Sequence, residues 1–176
     1  MHDSTLRLSG RRLRGLLAQP NVVFGGVYGA VLASTLAAAL TEYGETSRAD
    51  RLYDSAWVLF TACASALAHG YAHIIARRGE QAARLSARTA LRVLADEWPL
   101  VVAALPTVLM LFGAAEGWWG SKGIEYVAFG FNILLLFGWG LFTMRAAGRT
   151  WRSSLVVACV DALLGVIVVI ANALIK

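Results

Sequence analysis

The feature that most constrains this chain is a set of five apolar segments, each long enough to cross a lipid bilayer. A spanning helix needs about 20 apolar residues at about 1.5 Å of rise per residue. The segments lie at about 21–40, 55–76, 98–115, 126–143 and 154–175. With 58% hydrophobic and 15% charged residues, the chain is also too apolar for a soluble domain. The sequence predicts an all-α polytopic membrane protein, with a basic segment at 1–19 and one five-helix bundle over 20–176.

The distribution of arginine and lysine predicts how the bundle is oriented. Of the 16 Lys and Arg residues, 12 lie before the first segment, between the second and third, or between the fourth and fifth. Because loops rich in Lys and Arg stay cytoplasmic, we predict a cytoplasmic N-terminus and an outer C-terminus in a multi-pass protein of the cell membrane. The same bias accounts for the net charge of +5, so no nucleic-acid partner is expected.

The cytoplasmic loop at about 77–95 has the periodicity of an amphipathic helix. Arg84, Arg88 and Arg92 recur every four residues and share one face, while alanines and leucines form another face. Such a helix lies on the membrane surface, with its arginines on anionic lipid headgroups. The alternative is that the arginine face is a docking surface for an acidic partner.

Three polar residues inside the apolar segments lie at one depth. Tyr28, His69 and Asp161 are each eight or nine residues from the inner end of their segment, or about 12–14 Å. Pro106 lies in the same layer and frees a backbone carbonyl. Because polar groups inside a bilayer are costly, each is a hypothesis for a functional site. Equal depth does not establish proximity, since the sequence does not give the rotation of each helix.

The second segment carries two histidines on one face, His69 and His73, which are four residues apart. Two imidazoles at this spacing can bind one divalent metal ion or pass a proton along the helix. The structural alternative places His73 at the lipid headgroups and gives His69 a hydrogen bond inside the bundle. For Asp161, the structural alternatives are a protonated carboxyl bonded to another helix, or a pair with His69.

Small residues at four-residue spacing indicate close helix packing. Two such sets predict that the first and second helices approach closely: Gly25, Gly29 and Ala33 with Ala62, Ala66 and Gly70. Gly138 and Gly140 predict a similar close contact on the fourth helix, or a contact between two copies. We expect a homodimer that associates through a small-residue face.

The layout resembles that of the vacuolar iron transporter family. The similar patches are the glycine-rich stretch 25–29, the small-residue stretch 65–71 that leads into Arg77 and Arg78, and the link at 140–154. The number of segments and the cytoplasmic excursion after the second are also similar. The resemblance implies a five-helix antiporter that exchanges a metal ion for protons.

The site residues of that family are largely absent here. The family has an acidic residue where this chain has Tyr28. It has a methionine and then a glutamate on the second helix, where this chain has Ala66 or Leu67 and then His69 or Gly70. Its glutamate-rich cytoplasmic segment corresponds to 77–95, where Glu80 is the only acidic residue. A shared architecture therefore implies a site that was rebuilt around His69, His73 and Asp161, or lost.

The leading hypothesis is a secondary transporter or proton-coupled antiporter for a small cation. His69 and His73 would be metal ligands or proton carriers, Asp161 a titratable carboxylate and Tyr28 a hydrogen-bond partner. Two imidazoles and one carboxylate suit a divalent transition metal, as substrate, better than calcium or magnesium. We expect no cofactor and no enzymatic activity, because the sequence has no phosphate-binding glycine loop, nucleophile elbow or zinc-protease motif.

Two alternatives stay open. The first is a non-catalytic subunit or scaffold of a larger complex, in which the arginine face and the acidic outer loops would be partner surfaces. Those loops include Asp54, Glu116 and Glu125. The second is a proton-selective channel, which needs the histidines and Asp161 but no metal ligands.

Overall fold

The computed structural model describes residues 19–40, 47–80 and 86–175, which form six α-helices. The helices are α1 (Pro20–Ala39), α2 (Arg48–Glu80), α3 (Ala87–Ala95), α4 (Trp98–Ala115), α5 (Ile124–Ala146) and α6 (Trp151–Ile175). Five helical stretches are long and apolar enough to cross a membrane, and the third of them joins α3 and α4. The predicted all-α membrane fold with five spanning helices is confirmed. The side of the membrane on which each terminus lies stays a prediction.

The region predicted as one amphipathic helix at about 77–95 is divided between two helices. The second helix, α2, continues to Glu80, and α3 begins after Ser86, whose hydroxyl accepts a hydrogen bond from the Thr89 amide at 3.3 Å. Such an N-cap satisfies one of the free amides of the first turn. Val93 of α3 is buried, and the exposed residues of α3 include two of the predicted arginines, Arg88 and Arg92. Arg84 lies outside the described residues.

The first helix, α1, lies at the centre of the bundle and contacts α2, α4, α5 and α6. Gly25 and Gly29 bring it against the start of α4, where a Cβ atom at Gly29 would overlap the carbonyl oxygen of Leu100. The prediction that these glycines pack against α2 is therefore wrong. Gly70 of α2 likewise faces Leu94 of α3. Residue spacing shows that small residues share a face, but it does not show which helix meets that face.

A buried polar pair joins α4 and α5. Thr107 and Asn132 are both fully buried, and Asn132 Nδ2 donates a hydrogen bond to Thr107 Oγ1 at 3.0 Å. The Thr107 hydroxyl lies 3.3 Å from Asn132 Oδ1. In an apolar interior each of these groups would be costly without the other.

We expect a double-mutant cycle of Thr107→Val and Asn132→Leu to give a coupling energy of about 0.6–1.7 kcal/mol, the range for hydrogen bonds between membrane helices. The measurement is the free energy of unfolding in mixed detergent micelles of increasing SDS content. Thr35→Val is the control, because the Thr35 hydroxyl bonds to the carbonyl of Val31 in its own helix. Its effect should add to that of Asn132→Leu, and equal additivity for Thr107→Val would contradict the prediction.

A buried arginine, Arg51, holds α2 against the start of α5 at the end of the bundle where α2 begins. The Arg51 side chain is 2% exposed, pairs with Glu125 of α5 at 2.5 Å and lies 3.7 Å from Asp54. Its Nε and Nη2 atoms donate to the hydroxyl and the carbonyl oxygen of Ser121, at 2.9 and 3.0 Å. This arginine clamp (Arg51, Asp54, Ser121 and Glu125) ties the first turn of α2 to the start of α5.

The clamp corrects one part of the scaffold alternative. Asp54 and Glu125 were expected among the acidic residues of the outer loops, as part of a partner surface. Both are buried against Arg51 inside the protein. Hydropathy places these charged residues near helix ends. It does not show that side chains of opposite charge at the ends of two helices pack against each other.

Candidate functional site

Three aromatic rings are stacked where α1 passes α2. The His69 ring lies on that of Phe24, with centroids 4.7 Å apart and planes 6° from parallel. Tyr28, one turn along α1, has its centroid 6.1 Å from His69 and 5.7 Å from Phe24. Because Phe24 and Tyr28 are four residues apart, they share the face of α1 that meets His69. The structure therefore brings together two of the residues that the sequence places at one depth, Tyr28 and His69.

The two histidines are also in contact. The rings of His69 and His73 are 5.0 Å apart and nearly perpendicular, at 83°. His73 Nε2 in turn lies 3.7 Å from Glu97 Oε1, which is an ion-pair distance when His73 is protonated. The Glu97 side chain is 6% exposed, whereas that of His73 is 51% exposed. The titratable groups thus form a series, His69–His73–Glu97, from the interior of α2 to the start of α4.

Glu97 is the site residue that the sequence analysis missed. It is the residue immediately before α4, and it lies beside Gly70 of α2, where a Cβ atom would be at an ordinary contact distance of 3.4 Å from Glu97 Cγ. The available signal was an acidic residue at the start of an apolar segment on the arginine-rich side of the chain. A negative charge at that position interacts favourably with the positive end of the helix dipole. From the sequence alone, Glu97 is therefore interpreted as a structural residue and not as part of a site.

Asp161 lies elsewhere in the bundle. Its carboxylate packs against Gly140 of α5, where a Cβ atom would overlap Asp161 Oδ2 and the backbone of Ala158. The anticipated pair with His69 is not found in the described parts of the chain, because His69 faces α1 and Asp161 faces α5. Over the same residues, no group of three His, Cys, Asp or Glu side chains is arranged to hold a metal ion.

An apolar groove of about 620 Å³ lies beside the ring stack (Phe24, Tyr28 and His69). Five of its lining residues belong to α1 and one belongs to α6. Its lining residues are Val23, Phe24, Val27, Tyr28, Val31 and Leu164. Phe24 and Tyr28 therefore both stack with His69 and line the groove.

We compared the chain with known proteins, and no family model, curated protein or solved structure matches it. The resemblance to the vacuolar iron transporter family stays a prediction from the sequence patches described above.

Proposed function

We propose that this protein is a proton-coupled secondary transporter for a small cation, and that His69, His73 and Glu97 carry its protons. The observation that supports this most is the 3.7 Å approach of His73 Nε2 to the buried carboxylate of Glu97, with His69 in contact behind it. Imidazoles gain and lose protons near physiological pH, and a carboxylate beside them can exchange those protons. Polar side chains with such chemistry at membrane depth are characteristic of ion and proton pathways.

The chemistry of the same residues supports a cation as the other substrate. Imidazole and carboxylate groups bind divalent transition metals, and the resemblance to metal–proton antiporters points to the same class. In this proposal the metal is cargo and the protein needs no resident cofactor. A homodimer in the cell membrane is part of the proposal. Gly138 is open to such a contact, since a Cβ atom there would meet nothing within 4 Å.

One observation favours a second candidate, a membrane subunit that does not transport. Asp161 lies in the middle of α6, and within the described residues it has neither an ion pair nor a hydrogen bond. A carboxylate at that depth would be stabilised by a basic residue on a helix of a partner protein. The exposed Arg88 and Arg92 of α3 would then contact either that partner or anionic headgroups.

The test is ion flux into proteoliposomes that contain an internal pH dye and a metal dye. We expect metal-dependent proton movement in the wild type, and a reduction of about tenfold or more in Glu97→Gln and in His73→Ala, as for removal of a proton-transfer group. Glu116→Gln is the matched control, because Glu116 is a partly exposed carboxylate that pairs with Arg48 at the other end of the bundle. It should leave the flux unchanged.

Each other result selects an alternative. Proton movement without any metal would favour the channel. No flux under any gradient, from protein that is shown to be folded, would contradict both transport functions and leave the subunit. Equal loss in Glu97→Gln and Glu116→Gln would remove the proposed role of the His69–His73–Glu97 series.

A further inference from the structure

The link between α5 and α6 carries three arginines and no acidic residue. Arg145 lies in the last turn of α5, Arg149 in the link and Arg152 in the first turn of α6, and all three are exposed. No Asp or Glu occurs between Glu125 and Asp161. In the described parts of the chain, none of the three arginines pairs with a carboxylate. This surface therefore carries three positive charges that are not compensated.

The backbone of the link is an ordered turn. The Arg149 amide donates a hydrogen bond to the carbonyl of Met144 at 3.0 Å, and the Gly148 amide donates to that of Arg145 at 3.1 Å. These two bonds form a Schellman motif at the end of α5. Gly148 has a φ of 74°, the left-handed conformation that this motif requires. The arginines thus project from a fixed turn.

The guanidinium of Arg145 is held in place by two contacts. Its Cζ atom lies 4.5 Å from the centroid of the Trp151 ring, and its Nη1 atom donates to the carbonyl of Arg149 at 2.7 Å. Arginine stacks on an aromatic face without losing its charge. Its Nε and Nη2 atoms have no acceptor among the described residues. These two atoms are the parallel donors that a phosphate group accepts.

The position of the link favours a lipid as the source of that phosphate. α5 and α6 both span the membrane, so the link that joins their ends lies near the lipid headgroups. Trp151 is 60% exposed, and tryptophan is enriched at the interface between lipid and water. An anionic phospholipid offers a phosphate without the positive charge that a choline headgroup carries. It is therefore the lipid whose charge complements three arginines.

We propose that the link cluster (Arg145, Arg149, Trp151 and Arg152) is a binding site for an anionic phospholipid. Arg145 supplies the paired donors for the phosphate, and Trp151 positions Arg145. Arg149 and Arg152 add positive charge around the same headgroup. The cluster lies on other helices than the exposed arginines of α3, and its role does not depend on whether the protein transports an ion.

The test is native mass spectrometry of the full chain, released from micelles that contain equal amounts of phosphatidylglycerol and phosphatidylcholine with the same acyl chains. We expect the wild type to retain phosphatidylglycerol at least about fivefold better, since one arginine near an anionic lipid contributes about that factor. Arg145→Gln should lower the affinity for phosphatidylglycerol about fivefold and leave that for phosphatidylcholine unchanged. Arg145→Lys keeps the charge without the paired donors, so its affinity should be intermediate.

Two matched controls lie at the other end of the bundle. Trp151→Leu should weaken retention of phosphatidylglycerol several-fold, because Arg145 loses the ring on which it stacks. Trp118→Leu should not, although Trp118 is 63% exposed. Arg48→Gln should also leave retention unchanged, since Arg48 is an exposed arginine whose charge is already paired with Glu116.

Three results would overturn the inference. Equal retention of the two lipids by folded wild type would reject the site and leave an acidic protein segment as the remaining partner. An equal loss in Arg88→Gln, on α3, and in Arg145→Gln would mean that anionic lipids are attracted to all exposed arginines alike. A lower thermal stability of Arg145→Gln with unchanged retention would show that Arg145 only closes the end of α5.

Discussion

Arg51→Met is expected to lower the free energy of unfolding by about 3–5 kcal/mol, which is the usual cost of breaking a buried ion pair from one side. The Arg51 side chain is 2% exposed and that of its partner Glu125 is 5% exposed. Methionine fills much of the same volume but supplies no charge. The carboxylate of Glu125 would then stay buried without its cation, and Ser121 would lose both of its hydrogen bonds to Arg51.

The matched control lies one turn earlier on α2. Arg48 pairs with Glu116 at 2.6 Å, but the two side chains are 65% and 30% exposed. An ion pair of this kind contributes about 0–1 kcal/mol, because water competes for both charges. Arg48→Met should therefore have an effect several times smaller than Arg51→Met. Unfolding in mixed micelles measures both, and similar losses would show that Arg51 does not hold α2 against α5.

A second variant separates the loss of an ion pair from the loss of packing. In the double variant Arg51→Met with Glu125→Leu, both charges of the Arg51–Glu125 pair are removed. Replacing both partners of a buried pair by apolar residues is often close to neutral. We expect this double variant to regain much of the stability that Arg51→Met loses. Asp54 retains its negative charge there, so the recovery should be incomplete.

The fold was predictable because its signals are local. Each apolar segment is recognised from its own residues, and the five spanning helices follow from length and composition. The contact between Tyr28 and His69 was partly predictable, since counting residues from each helix end gave their common depth. The same count placed Asp161 in that layer, yet Asp161 faces α5. Depth is a property of one helix, whereas contact depends on the rotation of two.

The residues that were missed depend on contacts between distant parts of the chain. Glu97, in the turn between α3 and α4, lies beside His73 of α2. Arg51 pairs with Glu125, which is 74 residues further along the sequence. Nothing within a helical turn of either residue identifies its partner. A charged residue at a segment end is usually solvated, so the sequence favoured surface positions for both carboxylates. Pairing is visible only when the helices are assembled.

Gly29→Ala is expected to destabilise the bundle by about 1–3 kcal/mol, the cost of inserting a methyl group into a well-packed contact. The neighbour that would be displaced is the backbone of Leu100 in α4, which cannot rotate away as a flexible side chain can. Gly130→Ala is the control, since a Cβ atom there would meet nothing within 4 Å. In mid-helix that change should stabilise by about 0.5–1 kcal/mol, because alanine is favoured over glycine in a helix. The two variants should therefore differ in sign.

The same variant also connects the packing of α1 to the candidate site. Gly29 follows Tyr28 directly, so the face of α1 that meets α4 and the face that carries the ring stack move together. Separating α1 from α4 would shift Phe24 and Tyr28 relative to His69 on α2. We expect Gly29→Ala to reduce the metal-dependent proton flux of the proposed transporter as well as stability, and Gly130→Ala to leave that flux intact. Unchanged flux in a destabilised Gly29→Ala protein would show that the candidate site does not depend on the contact between α1 and α4.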